Sequence, residues 1–408
     1  MSELLELVVG GPAAGGSFVA RADDGRIVFV RHALPGERVR ARVTSESRSF
    51  LRADAVEVLE AAPERVEQPC PYARPGRCGG CDYQHVPVAR QRELKAQLVA
   101  EQLRRLAGVE LVPEVEEVPG APDGLGWRLR VGFGVDPAGR PGLHRHRSKD
   151  LELVDRCLIA APGVEAVGAE RVTWPGAAQV EVATSGAESV VAVTSRRGAR
   201  PRVPDVEAGL AVDGRAERVP HGLVHEVLGR RYEVRAGGFW QVHVGAAEAL
   251  GRAVLDGLDP QPGERVADLY AGAGLFAALL AERVGEAGSV VAVEGDRGAV
   301  TDAARNLAGL PQARTVHAAV APETVARLGE VDLVVLDPPR AGAGLEVSAA
   351  LAALRPRRLA YVACDPASFA RDLRVLLDAG WSLDRLRALD MYPMTEHVEL
   401  VALLSPPA

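Results

Sequence analysis

Between residues 265 and 294 the chain runs strand, G-x-G turn, helix, strand and acid, and few folds accept that order. Arg265–Leu269 reads as a buried strand entering Tyr270-Ala271-Gly272-Ala273-Gly274, and Leu275–Val284 has helical spacing. Val290–Val293 is a second strand, ending at Glu294. A G-x-G turn at a helix N-terminus lets backbone approach a ligand closely. An acid about 20 residues further on accepts hydrogen bonds from the two hydroxyls of a ribose. Val331–Leu336, ending in Asp337-Pro338-Pro339-Arg340, and Leu359–Ala363, ending in Cys364, are further buried strands. From about residue 236 strands and helices therefore alternate, which predicts an α/β fold with a Rossmann-like doubly wound sheet. Ligands of such sheets sit at the carboxyl ends of the strands, where Glu294, Asp337 and Cys364 all fall.

Two ligand classes share the first part of this pattern. A dinucleotide fingerprint wants a further glycine near Ala277, and none stands there. Asp337-Pro338-Pro339 after the fourth strand points instead to a methyltransferase that uses S-adenosylmethionine. Cys364 is followed by Asp365-Pro366, which breaks the strand before a helix over Ala367–Leu377. A lone cysteine is more often a buried structural thiol than a nucleophile, so its role rests on what surrounds it.

Upstream the pattern is different. Leu4–Val9, Ser17–Arg21, Arg26–Arg31, Arg38–Thr44 and Arg52–Leu59 each favour a strand, with Gly, Pro and Asp clusters between them. Five short strands in about 60 residues suit an OB-like β-barrel, a fold often used on single-stranded nucleic acid. Cys70, Cys78 and Cys81 then form a C-x7-C-x2-C run in a Pro/Gly-rich loop, with Cys157 far downstream. Three clustered thiols and one distant one match an iron–sulfur cluster or a structural zinc, and the spacing does not choose between them. Ala89–Leu106 carries Leu94, Leu98, Leu103 and Leu106 on a charged background, an amphipathic helix. Trp127–Lys149 is locally basic through Arg128, Arg130, Arg140, Arg145, Arg147 and Lys149, and suits a β-hairpin turning at Asp136–Gly142 that contacts phosphates. Residues 178–235 continue as short β runs, and Pro201–Val219 reads as a loose connection.

A net charge of -7 gives no global nucleic-acid signal, so RNA binding must come from local basic patches. The N-terminal MSELLELVVGG lacks the basic start and apolar core of a signal peptide, and no apolar run is long enough to span a membrane. A cytoplasmic monomer is expected, and in that compartment cysteines serve as metal ligands or catalysts more than as disulfides.

Taken together, the motifs resemble the RNA uracil-5-methyltransferase family, in the branch with an N-terminal TRAM domain and a [4Fe-4S] cluster. The resemblance spans essentially the whole chain. It rests on Phe239-Trp240-Gln241-Val242, Asp268-Leu269-Tyr270 with Gly272 and Gly274, Glu294, Asp337-Pro338-Pro339-Arg340, Cys364 with Pro366, and Thr395-Glu396-His397-Val398-Glu399. It implies a TRAM domain over residues 1–62, a β-rich central domain with the cluster over 63–235, and a catalytic domain over 236–408. It implies that Gln241, Tyr270, Gly272, Gly274, Glu294 and Asp337 line the S-adenosylmethionine site, that Cys364 is the nucleophile and Glu399 the base, and that Cys70, Cys78, Cys81 and Cys157 ligate the cluster. Three positions depart from the family pattern: His243, Leu275 and Asp365.

The expected reaction is formation of 5-methyluridine in a structured RNA. Carbon 5 of uracil is a poor nucleophile; a thiolate adding to carbon 6 makes it an enolate, and a carboxylate must later remove the carbon 5 proton. Position alone leaves Glu396 and Glu399 nearly even as that base, and the family pattern selects Glu399. Phe239 and Trp240 are candidates to support a uracil taken out of its stack. Ribosomal RNA ranks ahead of the transfer-RNA T-loop as substrate. A cytosine-5 methyltransferase is a weaker alternative, because Pro338-Pro339 is followed by Arg340 where that chemistry often has cysteine. A non-catalytic RNA-binding iron–sulfur protein is the third reading, and the pairing of Cys364 with Glu399 argues against it.

Overall fold

Residues 3–407 are described by a computed structural model. Its N-terminal part is a curled six-stranded sheet whose main strands are Leu4–Val8, Ser17–Arg21, Ile27–Arg31, Arg38–Glu46 and Phe50–Glu60. Gly10 and Gly11 exchange hydrogen bonds with Val19, so the sheet returns to its first strand. Alternate residues such as Phe18, Val28, Val30, Val39 and Leu51 point inward as one core. This is the barrel expected from the spacing of the turns.

The large sheet of the C-terminal half has strands β1 (Arg265–Leu269), β2 (Ser289–Glu294), β3 (Ala313–His317), β4 (Leu333–Leu336), β5 (Arg358–Ala363), β6 (Ser382–Asp390) and β7 (Glu399–Ser405). Their order is β3-β2-β1-β4-β5-β7-β6, parallel through β5 and antiparallel at β7 and β6. Helices α1 (Ala246–Leu258), α2 (Leu275–Val284), α3 (Arg297–Asn306), α4 (Leu345–Leu354) and α5 (Pro366–Asp378) flank it. Strand residues alternate between two cores. Val266, Val290, Leu333, Val335 and Val362 pack under α1 and α2, while Ala267, Val293, Val334, Leu336 and Tyr361 pack under α5. Burial on both faces explains the continuous apolar runs that mark these strands in the sequence.

Residues 88–117, read from sequence as part of the central region, serve the large sheet. Val115–Glu117 adds a strand beside β6, and the helix Val88–Gln102 joins the two cores, with Leu94 in the barrel and Ala96 and Val99 under the sheet. Lys95, part of that helix's charged background in sequence, is fully buried. Its Nζ lies 2.5 Å from Asp390 at the end of β6. The region between holds a seven-stranded sheet that includes the basic hairpin, Arg130–Val135 with Pro141–His144. Pro201–Val219 is more ordered than its sequence suggests: Gly209–Val212 and Arg215–Arg218 form a hairpin at the sheet's end.

Candidate active site

The carboxyl ends of β1, β2, β4 and β5 open into a cavity of about 920 Å³, lined by Gln241, Tyr270, Gly272, Glu294, Asp337, Arg340, Cys364, Tyr392 and Glu399 among others. Gly274 caps α2 behind it with φ 85°, so of the residues expected at this site it supports the wall rather than lining it.

At one end, the turn after β1 is shaped by hydrogen bonds to acids. The Gly272 amide donates to Glu294 Oε2 at 2.9 Å, and the Asp296 amide donates to Oε1 at 2.7 Å. Each oxygen keeps a further acceptor site, and Glu294 lines the cavity. Gly272 has φ 55° and a Cβ there would project into open space, so the glycine leaves room for a ligand. Asp268 is fully buried; its Oδ2 accepts from the Ala277 amide at 2.8 Å, while Oδ1 has no partner. Burial holds that carboxyl well above the ordinary aspartate range. On the far wall Gln241 Nε2 donates to Asp337 Oδ2 at 3.3 Å. Burial raises Asp337 to about 7, with the Gln241 contact opposing.

At the other end Cys364 follows β5 and Glu399 begins β7. Glu399 is 3% exposed. Burial first, then the Asp337 charge, pushes its carboxyl well above the usual glutamate range, while the Tyr392 hydroxyl and Arg340 oppose the shift. The Cys364 thiol is pushed up to about 12 by burial and by the carboxylates of Glu399 and Asp337. Arg340 reaches over from the loop after β4, where its guanidinium lies 3.2 Å from His397 Nε2. That loop is pinned by Asp372 of α5, whose Oδ2 accepts from the Tyr361 hydroxyl and the Ala343 and Gly344 amides. The stretch from β5 into α5 thus holds the thiol and also the loop that carries Arg340.

Glu396, the rival acid, faces elsewhere: the Gly15 amide of the barrel donates to its Oε2 at 2.6 Å. It docks the barrel, while Glu399 lines the cavity. The three departures have structural roles. Asp365 caps α5, accepting from the Ser368 amide at 2.7 Å. His243 stacks on Trp127 with centroids 5.7 Å apart, and burial lowers it to about 4. The Leu275 side chain is buried in the core beneath α1 and also lines the cavity. Of the aromatic candidates, Trp240 is stacked on His225 at 4.8 Å, whereas Phe239 is 59% exposed at the cavity mouth. Lys95 and Tyr392 were not legible as site residues, since neither belongs to a spaced motif.

Cys70, Cys78, Cys81 and Cys157 line one separate cavity of about 250 Å³. All four are free thiols, and Gln84 Nε2 donates to Cys81 Sγ at 3.3 Å. Burial raises Cys78, Cys81 and Cys157, and neighbouring thiols of the set add to it. Among the described residues no group of three or more His, Cys, Asp or Glu side chains is arranged to hold a metal ion.

The basic hairpin is less bare than its sequence implies. Arg130 pairs with Glu181, Arg140 with Asp136 and Arg145 with Glu152. What remains is a groove of about 510 Å³ between barrel and hairpin, lined by Phe29, Arg52, His146 and Arg147 among others. Arg52 lies over the rings of Phe29 and Phe50, and burial with the Arg147 charge lowers its affinity for its proton. Among the described residues neither Arg52 nor Arg147 has a carboxylate within ion-pair distance.

Comparison with known proteins agrees with this architecture. Residues 3–56 match the TRAM domain and residues 246–355 the methyltransferase small domain. An uncharacterized RNA methyltransferase of Streptomyces coelicolor is 48% identical across 100% of this chain and 94% of its own length. The 23S rRNA (uracil(1939)-C(5))-methyltransferase RlmD of Alkalilimnicola ehrlichii is 36% identical across 98% of this chain and 96% of its own. The solved structure of Pyrococcus abyssi tRNA (uracil-54, C5)-methyltransferase with S-adenosyl-L-homocysteine shares the fold, with a TM-score of 0.72 and 23% identity over 98% of this chain and 100% of that one.

Proposed function

The chain belongs to the family of TRAM-bearing RNA methyltransferases that includes 23S rRNA uracil-C5 enzymes, and from that membership we propose that it methylates carbon 5 of a uridine in ribosomal RNA. The observation that carries the reading is that Cys364 and Glu399 line the same cavity as the Gly272–Glu294 turn.

S-adenosylmethionine supplies the electrophilic methyl group. Gln241, Tyr270, Gly272, Glu294 and Asp337 would hold it, with Gly274 setting the turn: the carboxylate lone pairs of Glu294 suit ribose hydroxyls, and the Gly272 turn leaves open space. Cys364 sulfur adds to carbon 6 of the uracil, and the ring electrons make carbon 5 a nucleophile that takes the methyl group. Glu399 then removes the carbon 5 proton; that C–H pair forms the 5,6 double bond, the bond from carbon 6 to sulfur breaks, and Cys364 leaves as thiolate. Arg340 offsets part of the charge of Glu399 and favours the thiolate of Cys364. The target base must leave its stack to reach Cys364, and the exposed Phe239 ring offers a surface to receive it. The groove with Arg52 and Arg147 supplies unpaired positive charge for the RNA backbone.

The reading includes a [4Fe-4S] cluster on Cys70, Cys78, Cys81 and Cys157. What supports this part is the donor set: four cysteines line one cavity, and a [4Fe-4S] cluster takes one thiolate per iron. Residues 70–81 would then be fastened to the segment carrying Cys157. An anaerobic preparation should contain iron and sulfide; stoichiometric zinc without iron overturns this part.

Nucleoside mass spectrometry of ribosomal and transfer RNA pools, with and without the gene, tests the substrate. Loss of 5-methyluridine from ribosomal RNA is expected. Loss confined to transfer RNA moves the substrate to that pool, and loss of 5-methylcytidine instead refutes the base assignment.

A further inference from the structure

The segment between β6 and β7 contains a contact to the proposed base that no spaced motif announces. The Tyr392 hydroxyl donates to Glu399 Oε2 at 3.0 Å, and it is the hydrogen bond that the carboxylate has among the described residues. The geometry points to Tyr392 as the positioning residue that holds one oxygen of Glu399 and leaves the other for the carbon 5 proton, with Lys95 anchoring the Tyr392 backbone. The inference rests on the assignment of Glu399 as base.

The anchoring is explicit. The Tyr392 carbonyl accepts from Lys95 Nζ at 3.0 Å and from Thr395 Oγ1 at 2.8 Å. Lys95 also binds Asp390, two residues earlier, so the turn hangs from a buried cation supplied by another part of the chain. The Tyr392 ring is fixed by edge-on contacts with Trp127, centroids 6.1 Å apart, and His397, 6.0 Å apart. A ring held on two sides and a backbone held by Lys95 leave the hydroxyl little choice of partner. Burial, with the charges of Glu399 and Cys364, keeps the phenol protonated and therefore a donor.

The need for such a donor follows from the surroundings of Glu399. Asp337 adds negative charge from the end of β4, and Arg340 on the loop after β4 is the cation that opposes it. Lys95, Asp390 and His243 lie behind Tyr392 and Trp127, and Lys95 and Asp390 are paired with each other. Burial in that company favours the protonated acid, which cannot accept the carbon 5 proton. A hydroxyl donor binds the ionised carboxylate more strongly than the neutral acid and so pulls the balance back. With Oε2 occupied, Oε1 is the oxygen left for the proton: the C–H bond of carbon 5 breaks, its proton goes to Oε1, the pair closes the 5,6 double bond, and Cys364 departs with its electrons.

Tyr392→Phe tests this, because it keeps the ring against Trp127 and His397 and removes only the donor. In single-turnover reactions of the full chain with S-adenosylmethionine and substrate RNA, the methylated covalent adduct is followed separately from its release across neutral to alkaline pH. The variant should accumulate adduct, with release slowed about tenfold at neutral pH and the rising limb of release moved up by about one pH unit. Release should recover at alkaline pH. Substituting 3-fluorotyrosine at the same position, a stronger donor of nearly the same shape, should move the limb downward and serves if Tyr392→Phe folds poorly. An unmoved limb in both overturns the inference. Glu399→Gln run in parallel separates the two claims: if it fails to stall release, the base assignment itself is wrong, whatever Tyr392 does.

Discussion

Alkylation of Cys364 in the free protein is a direct probe of the electrostatics of the site. Burial and the carboxylates of Glu399 and Asp337 push the thiol up to about 12. At pH 8 roughly one Cys364 in ~10⁴ is then thiolate, against roughly a quarter of an ordinary thiol with a pKa near 8.5. The few thiolates are more nucleophilic, by a factor of about 30 for a Brønsted slope of roughly 0.4–0.5 over ~3.5 units. The two effects combine to slow iodoacetamide by about 100-fold relative to a free cysteine peptide. Peptide mass spectrometry of timed, pH-stepped reactions reads Cys364 apart from the four clustered thiols. Glu399→Gln removes the larger of the two carboxylate influences and should lower the apparent titration, speeding alkylation while stalling turnover. Alkylation of the parent at the rate of a free peptide, or no response to Glu399→Gln, would refute the charge argument. It would mean that the thiol is activated before RNA arrives.

Three further outcomes follow from contacts outside Cys364. Lys95→Met strands Asp390 in the core and should cost about 3–5 kcal/mol in chemical denaturation, whereas Lys95→Met with Asp390→Leu should recover most of it, because removing both charges removes the desolvation penalty. Glu396→Gln should loosen barrel docking, seen as earlier proteolysis in the 57–70 segment, yet leave adduct release at the parental rate; stalled release would make Glu396 the base. Arg52→Ala and Arg147→Ala should each flatten the plot of log affinity for RNA against log salt by about one, without changing which uridine is methylated; an unaltered slope would take the groove out of the RNA path.

The strand edges were readable because burial on both faces imposes continuous apolar runs, and because ligand-edge residues must end them: Glu294, Asp337 and Cys364 stand at or just beyond the ends of β2, β4 and β5. The barrel was readable from its turns for the same kind of reason, a period-2 pattern cut by glycine and proline. What stayed hidden depends on partners distant in sequence. Lys95 looks like one more surface cation until Asp390, 295 residues away, is brought under it. The hairpin's arginines look unpaired until Glu181 arrives from a neighbouring strand. Glu396 and Glu399 are separated only by what the barrel and the cavity place beside each. Pro201–Val219 carried too many charges to read as strands, yet its exposed edge position in the sheet tolerates them.

The central claim is that Cys364 adds to carbon 6 of a uridine and that turnover requires loss of the carbon 5 proton. RNA substituted with 5-fluorouridine cannot lose fluorine as a cation at that step, so with S-adenosylmethionine present the methylated adduct should persist. Nuclease and protease digestion followed by mass spectrometry should then find a methylated fluorouridine bonded to the peptide carrying Cys364, and no such species in Cys364→Ala. An adduct on another residue, or none with either ribosomal or transfer RNA, would contradict the account.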